Sequence, residues 1–184
     1  MSAPEFSRPH RLDRIGSGAV SVAVAAEPGE RDALARRFGL IAIDRLEARF
    51  ALRREGDAVL ASGHLDAAVT QACIASDEPV PALIDEDFEL RFVPEAADEA
   101  ARAEEVELSE SECDTVFYSG GAIDLGEAAA ETLALALDPF PRSPRATEVL
   151  RAAGILSEEE AGPLGAFAGL RASLEGYKPV GKKN

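Results

Sequence analysis

The chain has 184 residues, with 34 acidic against 19 basic side chains and a net charge of −15. That length fits one domain with appendages, and a hydrophobic content of 46% excludes wholesale disorder. No apolar run is long enough to span a bilayer, the start carries no apolar signal segment, and the global charge has the wrong sign for a general polyanion binder. The expectation is a cytoplasmic protein with no membrane and no DNA partner.

The charge is uneven. Residues 85–114 hold 13 acids and two arginines, whereas residues 1–54 hold ten arginines against seven acids. A mildly basic front thus precedes a strongly acidic middle. In chain order, residues 5–16 are short, Pro-broken and basic, and read as an extended edge segment. Val20, Val22 and Val24 mark a strand over 19–26. Pro28 then opens a helix over about 30–38, with Leu34 and Phe38 on one face and Gly39 as its C-terminal cap. Residues 45–53 alternate: Leu46, Ala48, Phe50 and Leu52 point one way, Arg45, Glu47, Arg49 and Arg53 the other. Glu55-Gly56-Asp57 supplies a hairpin turn into a long strand over about 58–73, within which Gly63 marks a bulge or a close backbone approach. Glu78-Pro79-Val80-Pro81 breaks the run, and a strand returns to Val93, with Phe88, Leu90 and Phe92 on one face.

The acidic segment 95–114 has few large apolar residues and no period, and reads as a mobile loop. It is either a solvated linker or an arm for a basic partner. A short strand over 115–118 follows it. Asp124 caps the next helix with Glu127 three residues on, and Leu125, Ala129, Leu133 and Leu137 form its stripe until Asp138-Pro139-Phe140-Pro141 stops it. Residues 142–184 form a looser helical tail: a short turn near 144–154, a helix start at Ser157, and Leu164, Phe167, Leu170 and Leu174 at helical spacing. The expected fold is α+β, an antiparallel sheet core with packed helices and an acidic mobile loop. The main domain runs over 1–141 and the helical tail over 142–184.

Candidate chemistry is sparse. Cys73 and Cys113 make no disulfide framework, and with only His10 and His64 beside them no structural zinc site is expected. Cys73 lacks an evident base and reads as a small buried hydrophobe rather than a nucleophile. Asp85, Glu86 and Asp87 cannot all converge on one metal, because neighbouring strand residues point to opposite faces. No cofactor is called for, and no catalysis; a metal-dependent ribonuclease built on Asp85 or Glu86 is the enzymatic alternative. The arginines are better candidates. Arg8, Arg11 and Arg14 at the start, and Arg45, Arg49 and Arg53 on one strand face, form rows able to contact RNA phosphates. The opposing reading is that Glu47 and nearby acids neutralise this face.

Several pieces in one order and spacing carry a resemblance. They are Phe6-Ser-Arg-Pro9, Val69-Thr-Gln-Ala-Cys73, Glu78-Pro-Val-Pro81, Ile84-Asp-Glu-Asp-Phe88, Arg91-Phe-Val-Pro94, Ile123-Asp-Leu-Gly-Glu127 and Leu133-Ala-Leu-Ala-Leu-Asp-Pro-Phe-Pro141. Together they resemble the YceD family, the large ribosomal RNA subunit accumulation proteins, in the alphaproteobacterial form. The matching positions are Cys73, Glu78, Pro79, Phe88, Phe92, Asp124, Leu125, Gly126 and Glu127, most of which also have a structural explanation. Many relatives carry a second cysteine where this chain has Ser76, so the resemblance transfers no metal or redox site. It implies a ribosome biogenesis factor that supports synthesis, processing or stability of 23S ribosomal RNA without catalysis of its own. Its partner would be precursor 23S RNA, touched directly or indirectly. The alternative is an acidic interaction module that holds a basic ribosomal protein or a processing nuclease.

Overall fold

The computed structural model describes residues 4–95 and 114–155. Strands β2 (Val20–Ala25), β3 (Ala42–Glu55), β4 (Ala58–Ala72), β5 (Pro79–Pro94) and β6 (Asp114–Tyr118) form one sheet in that order. The first four pair antiparallel, whereas β6 runs parallel to β5. A separate antiparallel ribbon joins β1 (Pro9–Arg11) to β7 (Ala122–Asp124), and a single turn of tight helix, Leu12–Arg14, follows β1. Helices α1 (Pro28–Phe38) and α2 (Leu125–Ala136) pack against the sheet. The fold is α+β. A compact unit covers Met1–Ser143; of the second, Pro144–Asn184, the short helix α3 (Ala146–Ala152) is described.

Period-two alternation explains the sheet. Along β3, Leu46, Ala48, Phe50 and Leu52 are buried while Arg45, Glu47, Arg49 and Arg53 are exposed. Register carries that face across the sheet: Leu46, Ala48 and Leu52 oppose Ala67, Leu65 and Ala61 of β4, and Ala61 in turn opposes Leu90 of β5. Leu34 of α1 and Leu125, Ala129 and Leu133 of α2 cover it. Truncating a wholly buried leucine such as Leu65 or Leu133 to alanine costs about 2–5 kcal/mol.

Three expectations need correction. First, β3 starts at Ala42 rather than 45, because a register shift between Ile43 and Arg45 absorbs one residue and keeps the alternation in phase. Second, Pro79 and Pro81 do not break β5. They oppose Ala72 and Thr70 on a stretch where no described strand pairs on the outer side, β6 reaching only Leu90–Pro94; a missing N–H costs little on an edge. The real break is the turn from Cys73 to Glu78, where Asp77 takes a left-handed φ of 56°. Third, the strand within residues 5–16 is Pro9–Arg11, which pairs with β7 rather than with a strand of the main sheet; only further on does Gly16 meet that sheet, accepting from the Arg54 N–H of β3 at 2.9 Å. Glu95 and Asp114 aside, the acidic segment lies outside the described residues, as does the tail beyond Ile155.

The chain start is locked onto α2. Phe6 is wholly buried. A Cβ on Gly126 would lie 2.5 Å from the Phe6 carbonyl oxygen, so only glycine allows this crossing. The Asp124 carboxylate accepts from the N–H groups of Gly126 (3.0 Å) and Glu127 (3.2 Å), capping α2. It also accepts from the Arg8 N–H at 2.7 Å and from the Ser7 hydroxyl. Glu127 pairs with Arg37 of α1 at 2.7 Å, and Arg37 reaches Glu5 at 3.1 Å.

Candidate functional site

The six arginines do not form one surface. Arg8 is held by Glu30 through two hydrogen bonds of 2.7 and 2.8 Å, and its guanidinium stacks 4.7 Å from the Phe6 ring centroid. Glu30 also accepts from the Glu27 N–H at 2.8 Å, so Arg8 ties the chain start to the beginning of α1. The hydrogen bond from Arg8 holds the Glu30 carboxyl below its ordinary range. Arg11 pairs with Asp13 at 2.6 Å, and Arg14 ends the tight turn. Arg45, Arg49 and Arg53 do share the outer row of β3, where Arg45 approaches Asp66 at 3.5 Å and Arg53 pairs with Glu55 at 2.8 Å. Arg49 is exposed and has no ion pair among the described residues.

Register fixes what surrounds Arg49. Across the outer face, Ala23, Arg49, His64 and Asp87 form one row, with Ser21, Ala51, Ser62 and Glu89 on one side and Ala25, Glu47, Asp66 and Asp85 on the other. The small side chains leave an open trough of 760 Å³, floored by Ser21, Ala23, Ala51 and Ser62 and bounded by Arg49, His64 and Glu89. Gly63 is required beneath it. A Cβ there would lie 2.3 Å from both the Arg49 carbonyl oxygen and the Phe88 ring, which packs edge-on to Phe50 at a centroid distance of 5.0 Å.

Beside the trough stands a cluster that the sequence reading missed. His64 Nδ1 lies 2.8 Å from Asp87 Oδ1, while Nε2 lies 3.6 Å from Asp85 Oδ1 and 3.7 Å from Asp66 Oδ2. The hydrogen bond to Asp87, then the charges of Asp85 and Asp66, raise the imidazole above its ordinary pKa of 6.5. Asp85 and Asp87 share this face and Glu86 takes the other, as alternation requires. The missing element was the partner strand. Its signal was present: counting outward equally from the turn between Ala75 and Ser76 sets His64 opposite Asp87 and Asp66 opposite Asp85.

A second polar site lies at the Cys73–Glu78 turn. Cys73 is wholly buried, and its Sγ accepts from the Ser143 N–H at 3.2 Å and the Ala75 N–H at 3.5 Å. The Ser143 N–H, then the Ser76 side chain, lower the thiol to about 6 against the opposing effect of burial. The Ser143 hydroxyl donates to Glu78 Oε2 at 2.8 Å, and that of Ser76 reaches the same oxygen at 3.3 Å. Cys73 is therefore more than an inert hydrophobe: it is a hydrogen-bond acceptor that joins the turn to the segment after Pro141.

A family model described as "Large ribosomal RNA subunit accumulation protein YceD" matches residues 61–171, more than half of the chain. The chain belongs to the YceD family. The family's name ties its members to accumulation of the large-subunit ribosomal RNA. No curated protein and no solved structure matches the chain. The YceD match spans β4 from Ala61 onward, β5, β6, β7 and α2, and so includes the His64 cluster and the Cys73 turn; all six candidate arginines precede it.

Within the matched span, the residues singled out above fall into two groups. Phe88, Phe92, Leu125 and Gly126 pack the core or permit a close crossing, and Asp124 and Glu127 lock the chain start and α1 to α2. Cys73 and Glu78 build the turn, and Pro79 opens β5 directly after it. No described helix is long and apolar enough to cross a membrane.

Proposed function

We propose that this YceD protein supports 23S ribosomal RNA synthesis, processing or stability as a cytoplasmic, non-catalytic factor. It would touch precursor RNA through the outer face of the sheet around Arg49. The family match supports the process. The Arg49 guanidinium, which has no ion pair among the described residues and stands beside the small-residue trough, supports the contact, since such a charge is available to a phosphate. The face alternates in sign: Arg45, Arg49 and Arg53 stand among Glu47, Asp66, Asp85, Asp87 and Glu89. It therefore suits a few defined phosphate contacts better than an extended backbone track.

The test is ultraviolet crosslinking in cells, followed by sequencing of the attached RNA. The expected result is enrichment of defined 23S precursor segments, lost on Arg49→Glu combined with Arg45→Glu. Unchanged crosslinking removes this face from the proposal. RNA at background with basic ribosomal proteins co-purifying replaces direct contact with the protein-holding alternative. Cleavage of RNA by the purified protein, abolished by Glu86→Ala, would overturn the non-catalytic reading.

A further inference from the structure

We infer that His64, Asp66 and Asp85 bind a first-row divalent transition cation, best met by zinc, on the outer face of the sheet. The inference does not depend on RNA contact. It starts from register. His64 and Asp66 lie two residues apart on β4, and Asp87 and Asp85 oppose them on β5, so all four side chains share one face. Because β4 is hydrogen-bonded on both sides, His64 and Asp66 stand on a framed strand rather than on a loop, and Asp85 stands on the neighbouring strand paired to it.

The histidine gives the cluster its meaning. Asp87 Oδ1 lies 2.8 Å from Nδ1, and a carboxylate there favours the tautomer with its proton on Nδ1, in which the Nε2 lone pair is the ligand atom. An outer carboxylate on one ring nitrogen with the metal on the other is the arrangement that orients metal-binding imidazoles. Nε2 faces two carboxylate oxygens, Asp85 Oδ1 at 3.6 Å and Asp66 Oδ2 at 3.7 Å. These are long for hydrogen bonds, yet they suit donors around a shared ion. Tetrahedral bonds of about 2.0–2.2 Å set neighbouring donors roughly 3.4 Å apart. One donor atom from each of the three residues lies within 4.8 Å of the other two.

Donor chemistry selects the metal class. One imidazole and two carboxylates suit zinc and its neighbours, whereas calcium asks for six or more oxygens and magnesium for an oxygen octahedron. Two carboxylates balance a divalent charge. Arg45 contacts the other oxygen of Asp66, Oδ1, at 3.5 Å and leaves Oδ2 for the ion. Three protein ligands leave a coordination position open, and His64 itself borders the trough, so an exogenous oxygen ligand can reach the ion from there.

Titration of the full chain with Zn²⁺, and with Co²⁺ as a spectroscopic stand-in, tests this at a pH well above the ordinary histidine range, where protons do not compete. The expected result is one equivalent bound, with the ring protons of His64 shifted in NMR. His64→Ala and Asp85→Asn should each weaken binding about tenfold or more, and Asp87→Asn by about 10–100-fold. Cys73→Ala should leave affinity unchanged, and the Co²⁺ spectrum should lack a thiolate charge-transfer band. Circular dichroism melts confirm that each variant is folded. Binding unaltered by His64→Ala and Asp85→Asn, no binding at all, or binding lost with Cys73→Ala would each overturn the site.

Discussion

Two polar regions of this protein use charge in opposite ways. At the junction of the chain start with α2, Arg8, Arg37, Glu30, Asp124 and Glu127 all have defined partners, and each bond ties together segments distant in sequence. On the outer face of the sheet, Asp85 and Asp87 are 78% and 92% exposed and Arg49 has no ion pair among the described residues. The sequence motif Asp124-Leu-Gly-Glu127 looks functional because its residues are specific. Its specificity is spent on closing the fold, whereas on the plainer outer face Asp85 and Asp87 stay open to solvent although both meet His64.

The sharpest way to break this contrast is to overfill the junction. Gly126→Val should cost about 3 kcal/mol or more, read as a fall in thermal midpoint, because the obstacle is the Phe6 backbone rather than a movable side chain. Asp124→Ala should cost about 2 kcal/mol, since it removes a helix cap together with the bond from the Arg8 N–H. Arg49→Glu on the outer face should stay within about 0.5 kcal/mol of the parent by chemical denaturation while reducing RNA crosslinking. A large loss of stability there would dissolve the distinction between the regions.

The two regions should also answer pH with opposite signs. Glu30 is held below its ordinary carboxyl range, so its contribution is present above the unfolded pKa and is lost as pH falls through the folded one. His64 is raised above 6.5, so its contribution is full below that value and fades as pH rises through the folded pKa. Glu30→Gln should flatten the acid limb of the stability profile, and Asp87→Asn should lower the His64 midpoint measured by NMR.

Local signals in the sequence were legible and long-range ones were not. The Asp124 cap depends on residues within one helical turn, and Gly56 in the hairpin takes the left-handed φ of 62° that its turn demands. Core alternation on β3 is equally local. By contrast, the parallel pairing of β6 and the β1–β7 ribbon join segments separated by many residues, and no spacing rule announces them. Arg8 illustrates the same limit: in sequence it is one of three basic residues near the start, but Glu30 and Asp124 decide its use. The His64 cluster lies between these cases. Its register follows from the position of one turn, but Pro79 and Pro81 hid that turn by suggesting a break a few residues late.

The burial of Phe6 beneath Gly126 has a consequence for synthesis. The hairpins from β2 to β5 join neighbours in sequence and can pair while translation continues. Phe6 must wait until residue 126 has emerged, because the atoms that receive it do not yet exist. The segment around Phe6 therefore docks after the hairpins that precede residue 126 in the chain. In pulse-labelled hydrogen exchange the Arg8 amide, bound to Asp124, should gain protection after the amides of β3 and β4; early protection there would show that the order is reversed.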